Sequence, residues 1–127
     1  PKEMFQTGGM WASGRNVYGE IADGTQSVSY SQKQIGTLRN WRQVDSHGDY
    51  SVVAIRADNT LWSWGDNGSG QGGFGSSAFN YTSPVQVGAL ANWKQVSAGQ
   101  SFKAAVKTDG TLWTWGSNSY GVLGFII

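Results

Sequence analysis

Short stretches of this chain alternate between polar and apolar residues, and none repeats at helical spacing. Tyr50 to Arg56 and Phe102 to Lys107 are runs of β-branched and small residues bounded by turn formers, which predicts interior strands. Each run leads into a two-residue connector, Asp58-Asn59 or Asp109-Gly110, of the kind that accepts positive φ and closes a tight hairpin. The returning strands are Leu61 to Trp64 and Leu112 to Trp115, whose side chains divide between two faces. We expect Leu61 to share a face with Trp64, and both faces to be partly covered. Gln43-Val44 and Gln95-Val96 mark a short strand ahead of each interior one. Pro84-Val85-Gln86-Val87-Gly88 reads as an edge strand, because proline lacks the donor a ladder needs; its counterpart Lys33-Gln34-Ile35-Gly36 has no proline. The pattern predicts an all-β fold.

The pattern is also periodic. Thr60-Leu61-Trp62-Ser63-Trp64-Gly65-Asp66-Asn67 returns as Thr111-Leu112-Trp113-Thr114-Trp115-Gly116-Ser117-Asn118, and Met10-Trp11-Ala12-Ser13-Gly14-Arg15-Asn16 is a weaker copy, each 51 residues from the next. Trp41 and Trp93 are 52 apart, which places a one-residue insertion near Ser46-His47-Gly48, where a loop absorbs it. A repeat of about fifty residues is too long for a helical hairpin and suits one four-stranded propeller blade. The units are a partial repeat over residues 1–36, a repeat over 37–88 and a truncated repeat over 89–127. Gly14, Gly65 and Gly116 each end a strand where a side chain has no room. Asn16, Asn67 and Asn118 open the following loops, where asparagine bonds local backbone groups.

Composition narrows the function classes. Charged residues are 13% of the 127 and the net charge is +1, so no strong field points to nucleic acid or to an anionic membrane. The 19 glycines and the 7 Trp, 5 Tyr and 5 Phe suit a turn-dense β protein with large side chains to bury. Without cysteine, disulfides and thiolate metal sites are excluded. No basic segment followed by an apolar stretch marks a secretory signal, and no apolar run is long enough for a membrane helix. Pro1 reads as the residue left by removal of an initiator methionine. The C-terminal Phe125-Ile126-Ile127 reads as a break in mid-repeat, so we expect a fragment of a longer chain. Residues 4–14 read as a strand lent to a closing blade.

Catalytic chemistry finds little support. His47 is the one histidine and has no repeat counterpart, which reads as a loop residue. Glu20, Asp23, Asp58, Asp66 and Asp109 are scattered through turns instead of forming an acid–base pair. Gly68-Ser69-Gly70-Gln71-Gly72-Gly73 lacks the Lys-Ser/Thr ending and the helix of a phosphate cradle. We expect no catalytic residue, no metal ligand and no cofactor. Arg39, Arg42 and Lys94 form a modest basic group near Trp41 and Trp93, and we expect both tryptophans in the core between blades. Phe74, Phe79 and Tyr81 lie in the longest polar connector, where the repeat demands no aromatic residue. Exposed aromatics there are anchors for a protein or glycan partner. The candidate partner-binding residues are therefore Phe74, Phe79, Tyr81, Arg39 and Arg42.

Taken in order, Ser83-Pro84-Val85-Gln86-Val87-Gly88, Trp93-Lys94-Gln95-Val96-Ser97-Ala98-Gly99, Ala105-Val106-Lys107-Thr108-Asp109-Gly110-Thr111-Leu112-Trp113, Trp115-Gly116, Asn118 and Tyr120-Gly121-Val122-Leu123-Gly124 resemble the regulator of chromosome condensation repeat. The resemblance covers essentially the whole chain. It implies a partial β-propeller, about two and a half four-stranded blades of a ring that is most often seven-bladed. The tryptophan-heavy repeat resembles the bacterial and bacteriophage branch. That implies a non-enzymatic structural or protein-interaction module on a phage virion, in the tail, neck or capsid surface, with a cytoplasmic location otherwise. Its partners would be virion proteins or further blades, or a host-surface glycan or protein, with neither specific nucleic acid nor membrane insertion. The alternatives are a regulatory propeller such as a guanine-nucleotide exchange factor, or a carbohydrate-binding propeller.

Overall fold

The computed structural model of the chain describes residues 8–37, 39–46, 50–75, 80–119, 121 and 123–124; His47 and Phe79 lie outside them. Among the described residues there are nine strands and no helix: β1 Met10–Gly14, β2 Ser29–Ile35, β3 Trp41–Ser46, β4 Ser51–Arg56, β5 Leu61–Gly65, β6 Tyr81–Gln86, β7 Trp93–Gly99, β8 Phe102–Lys107 and β9 Leu112–Gly116. They form three antiparallel meanders, β1-β2, β3-β4-β5-β6 and β7-β8-β9. The sheets stack side by side as consecutive blades of a partial β-propeller.

The Asp-x-Thr-Leu-Trp phrase explains the central hairpin of each blade. Asn59 and Gly110 adopt φ of 66° and 86°, and Asp58 and Asp109 accept bonds from the backbone and hydroxyl of Thr60 and Thr111. Each threonine oxygen in turn accepts the indole N–H of Trp62 at 2.8 Å or Trp113 at 2.9 Å. The result is one register in both copies: Val52 faces Trp64 and Ala54 faces Trp62, as Lys103 faces Trp115 and Ala105 faces Trp113. Gly65 and Gly116 then end the strand at φ 93° and 103°, where a Cβ would lie 2.3 and 2.5 Å from the carbonyl oxygens of Tyr50 and Ser101.

Two apolar cores fill the spaces between sheets. Met10, Ile21, Ala22 and Ile35 meet Trp41, Val52, Ala54 and Trp64 in the first. Val53, Ile55 and Leu61 meet Trp93, Val96 and Ala105 in the second. β4 feeds both, so Val52 to Ile55 is buried on either face and shows no polar alternation. The expectation that Leu61 shares a face with Trp64 is corrected: period-two alternation puts Leu61 toward the third sheet, while Trp62 and Trp64 turn together onto Trp41. β6 begins at Tyr81, three residues before Pro84, because Tyr81 pairs with Gly65 beyond a register shift. β2 likewise begins at Ser29, ahead of Lys33.

Candidate functional site

The seam between the second and third sheets consumes many of the polar side chains. Among the described residues β7 pairs with β8 alone, and its other edge would leave backbone groups unpaired. A register shift between Trp41 and Gln43 turns successive side chains of β3 toward that edge. Arg42 donates to the carbonyls of Lys94 at 2.9 Å and Trp93 at 3.0 Å. Gln43 both donates to the Val96 carbonyl at 3.0 Å and accepts its N–H at 3.1 Å. Asp45 accepts the Ala98 N–H at 2.7 Å. Side chains of one blade thus replace a neighbouring strand for the next.

The tryptophans complete this scaffold. Arg56 lies 3.5 Å above the Trp62 ring and 4.7 Å from that of Trp41, and Lys107 repeats the arrangement at 3.9 Å from Trp113 and 5.1 Å from Trp93. Burial lowers the pKa of Arg56 from its ordinary value, against the opposing pull of Asp58. Trp64 donates to the Glu20 carbonyl at 3.0 Å, and Trp115 to that of Gln71 at 2.9 Å, pinning the loop of one blade to the last tryptophan of the next. Those loops are shaped by Asn16, Asn67 and Asn118, which accept the N–H of Ile21, Gly72 and Leu123.

Of the sequence-derived candidates, the structure brings Phe74 and Tyr81 together, their rings 4.5 Å apart. Both are half-buried, and Tyr81 packs on the first core. Arg42 is exposed, yet both its terminal nitrogens are engaged within the seam. Arg39 is exposed, and Phe79 lies outside the described residues. A second group was not anticipated: Arg15 sits 4.0 Å over the Tyr50 ring, which stacks on Tyr18 at 5.1 Å and 22°. Tyr50 holds a φ of 64° and is 38% exposed. The one sequence signal was its departure from the repeat, since the equivalent position is Ser101. Arg15 and Tyr50 border a cleft of about 460 Å³ shared with Trp11 and Glu20. Among the described residues no group of His, Cys, Asp and Glu is arranged to hold a metal ion, and no helix is long and apolar enough to cross a membrane.

Similarity to known proteins follows the same architecture. The Regulator of chromosome condensation (RCC1) repeat matches residues 41–71 and 93–122 in one family model and 58–106 in another; the latter runs from the second sheet into the third. The chain is 34% identical over 120 residues to the probable E3 ubiquitin-protein ligase HERC6 of Homo sapiens, covering 91% of this chain and 12% of that protein. It is 32% identical over 117 residues to the mitochondrial RCC1 domain-containing protein RUG3 of Arabidopsis thaliana, covering 90% and 26%. It thus spans about a quarter or less of the length of these relatives. Among solved structures it is similar to Prp20p from Saccharomyces cerevisiae, with a TM-score of 0.78, 18% identity and coverage of 88% of this chain and 30% of that one. It is also similar to human WBSCR16, with a TM-score of 0.76, 21% identity and coverage of 87% and 29%. The repeat matches over the second and third sheets, together with this shared fold, show that the chain belongs to the regulator of chromosome condensation repeat family.

Proposed function

We propose that this chain is a non-enzymatic protein-interaction segment of a propeller, which binds other proteins through loop residues that the scaffold does not use. The observation that carries this reading is the division of labour between side chains. Arg42, Gln43, Asp45 and the recurring Asn and Trp residues hold blades together, whereas Arg15 and Tyr50 depart from the repeat and, with Tyr18, form a cation–aromatic platform beside a cleft. Rigid aromatics with an arginine are the side chains that anchor protein partners. The described binding of Prp20p to Gsp1p and histones, and a structure of it bound to Kap60, lend support from the same fold. The test is affinity capture from the native source with the chain and with its Tyr18→Ala/Tyr50→Ala variant. A specific partner that the variant loses supports the reading, and an identical set of proteins with both rejects it.

Two finer readings have their own tests. Placement on a virion is favoured by the tryptophan-heavy repeat alone, and mass spectrometry of purified particles finds the chain at fixed stoichiometry if that placement is right. Guanine-nucleotide exchange is the alternative that the repeat resemblance implies; accelerated nucleotide release from a small GTPase supports it, and an unchanged rate counts against it.

A further inference from the structure

A second cleft, of about 570 Å³, opens between β2 and β6, with Ser83, Pro84 and Lys33 on its walls and Trp41 and Arg56 among its lining residues. The indole nitrogen of Trp41 and Nε of Arg56 are both buried and find no hydrogen-bond acceptor among the described residues. Trp41 itself is 7% exposed. Two adjacent buried donors without an acceptor are costly. Two neighbouring carboxylates are engaged elsewhere. Asp23 is bound to Lys33 at 3.1 Å and to Thr25 and Asn16, and Asp58 is bound to Thr60. Arg56 has no carboxylate within ion-pair distance among the described residues.

We propose that this cleft binds the carboxylate of an acidic side chain presented by a protein partner, held by Arg56 and Trp41. A guanidinium matches a carboxylate in shape as well as charge, and the indole N–H supplies a further donor. The proposal rests on the protein-interaction reading above and adds to its loop contacts one made by two scaffold side chains, Trp41 of β3 and Arg56 of β4.

The next blade provides an internal control. Trp93 is 7% exposed and its nitrogen is likewise buried without an acceptor, but its cation is Lys107, which has no Nε. At the position of Asp23 stands Phe74, turned onto Tyr81.

The test is the indole N–H spectrum of the ¹⁵N-labelled chain, with Trp41 assigned through Trp41→Phe, titrated with the peptides Ac-Gly-Glu-Gly-NH2 and Ac-Gly-Gln-Gly-NH2. The glutamate peptide is expected to move the Trp41 signal saturably and leave Trp93 in place, with the glutamine peptide at least about tenfold weaker. Arg56→Lys keeps a cation over the ring, as Lys107 does naturally, and is expected to weaken glutamate binding by at least about tenfold because the fork is gone. An unmoved Trp41 signal, equal responses to both peptides, or unchanged affinity in Arg56→Lys overturns the proposal. The capture experiment, which reads Tyr18 and Tyr50, is unaffected by that failure.

Discussion

β5 and β9 are near-identical in sequence and unlike in environment. Leu61 is fully buried and Trp64 is 3% exposed, whereas Leu112 is 67% exposed and Trp115, the counterpart of Trp64, is half-buried. The hairpin, register and terminal glycine are the same in both. The difference is the neighbour: β5 lies against Trp93, Val96 and Ala105 of the third sheet and is paired to β6, while β9 has only β8 among the described residues. Local sequence therefore builds the strand, and an adjoining blade buries it. A blade in this array stabilises its predecessor, as in other repeat proteins where energy resides in nearest-neighbour interfaces.

Substitution at matched positions breaks the comparison most sharply. Leu61→Ala is expected to cost about 2–5 kcal/mol in urea unfolding, the range for truncating a buried leucine. Leu112→Ala is expected to cost about 0.5 kcal/mol or less, as exposed sites do. Equal costs would mean that the third sheet contributes nothing to the burial of β5. The seam comes next: Asp45→Ala leaves the Ala98 N–H without its carboxylate and is expected to cost about 1–3 kcal/mol, while Ser97→Ala, at the matching place on β7, costs about 0.5 kcal/mol or less. The same denaturation curves measure both.

A smaller contrast separates the loops. Asn67 is fully buried and Asn118 half-buried, although each accepts an equivalent N–H. Asn67→Ala should lower the stability by about 1–3 kcal/mol, with a smaller loss for Asn118→Ala; a reversed order would show that the loop, independent of its burial, carries the energy. The smallest effect is acid sensitivity. Hydrogen bonding from the Thr25 side chain, above all, lowers the pKa of Asp23 from 3.8 to about 2. Its contribution is present above the unfolded value and is lost as pH falls from about 4 toward 2. Asp23→Asn should remove that contribution near neutrality and flatten the stability profile in the acid window, so that the two proteins converge as the pH falls toward 2. Asp58 and Asp109 are shifted in the same direction by Thr60 and Thr111, so both hairpins share the acid response despite their different burial.

Much of the scaffold was legible because it is written locally. The Asp-x-Thr connectors, the strand-ending glycines and the fixed step of the Trp-Gly phrase each carry their own backbone requirement, and the strands β4, β5, β8 and β9 lie where those signals place them. What depends on two elements at once was not legible. By sequence Arg42 belongs to a basic group and is a candidate for partner binding, yet its guanidinium spans to the carbonyls of a strand 51 and 52 residues away, aimed there by a shift in register. Tyr81 lies in a polar connector by its sequence surroundings but belongs to β6, because pairing with Gly65 extends the strand. Tyr18 and Tyr50 are distant in sequence, and of the two only Tyr50 departs from the repeat. Leu61 and Trp64 are three residues apart, so alternation itself puts them on opposite faces, in different cores.

Amide hydrogen exchange, compared between Ser63 and Trp64 in β5 and Thr114 and Trp115 in β9, tests most directly that an adjoining blade is what secures an otherwise identical strand. The account predicts slower exchange in β5 by at least about tenfold, equivalent to about 1.4 kcal/mol of opening free energy. Equal protection of the two strands would contradict it.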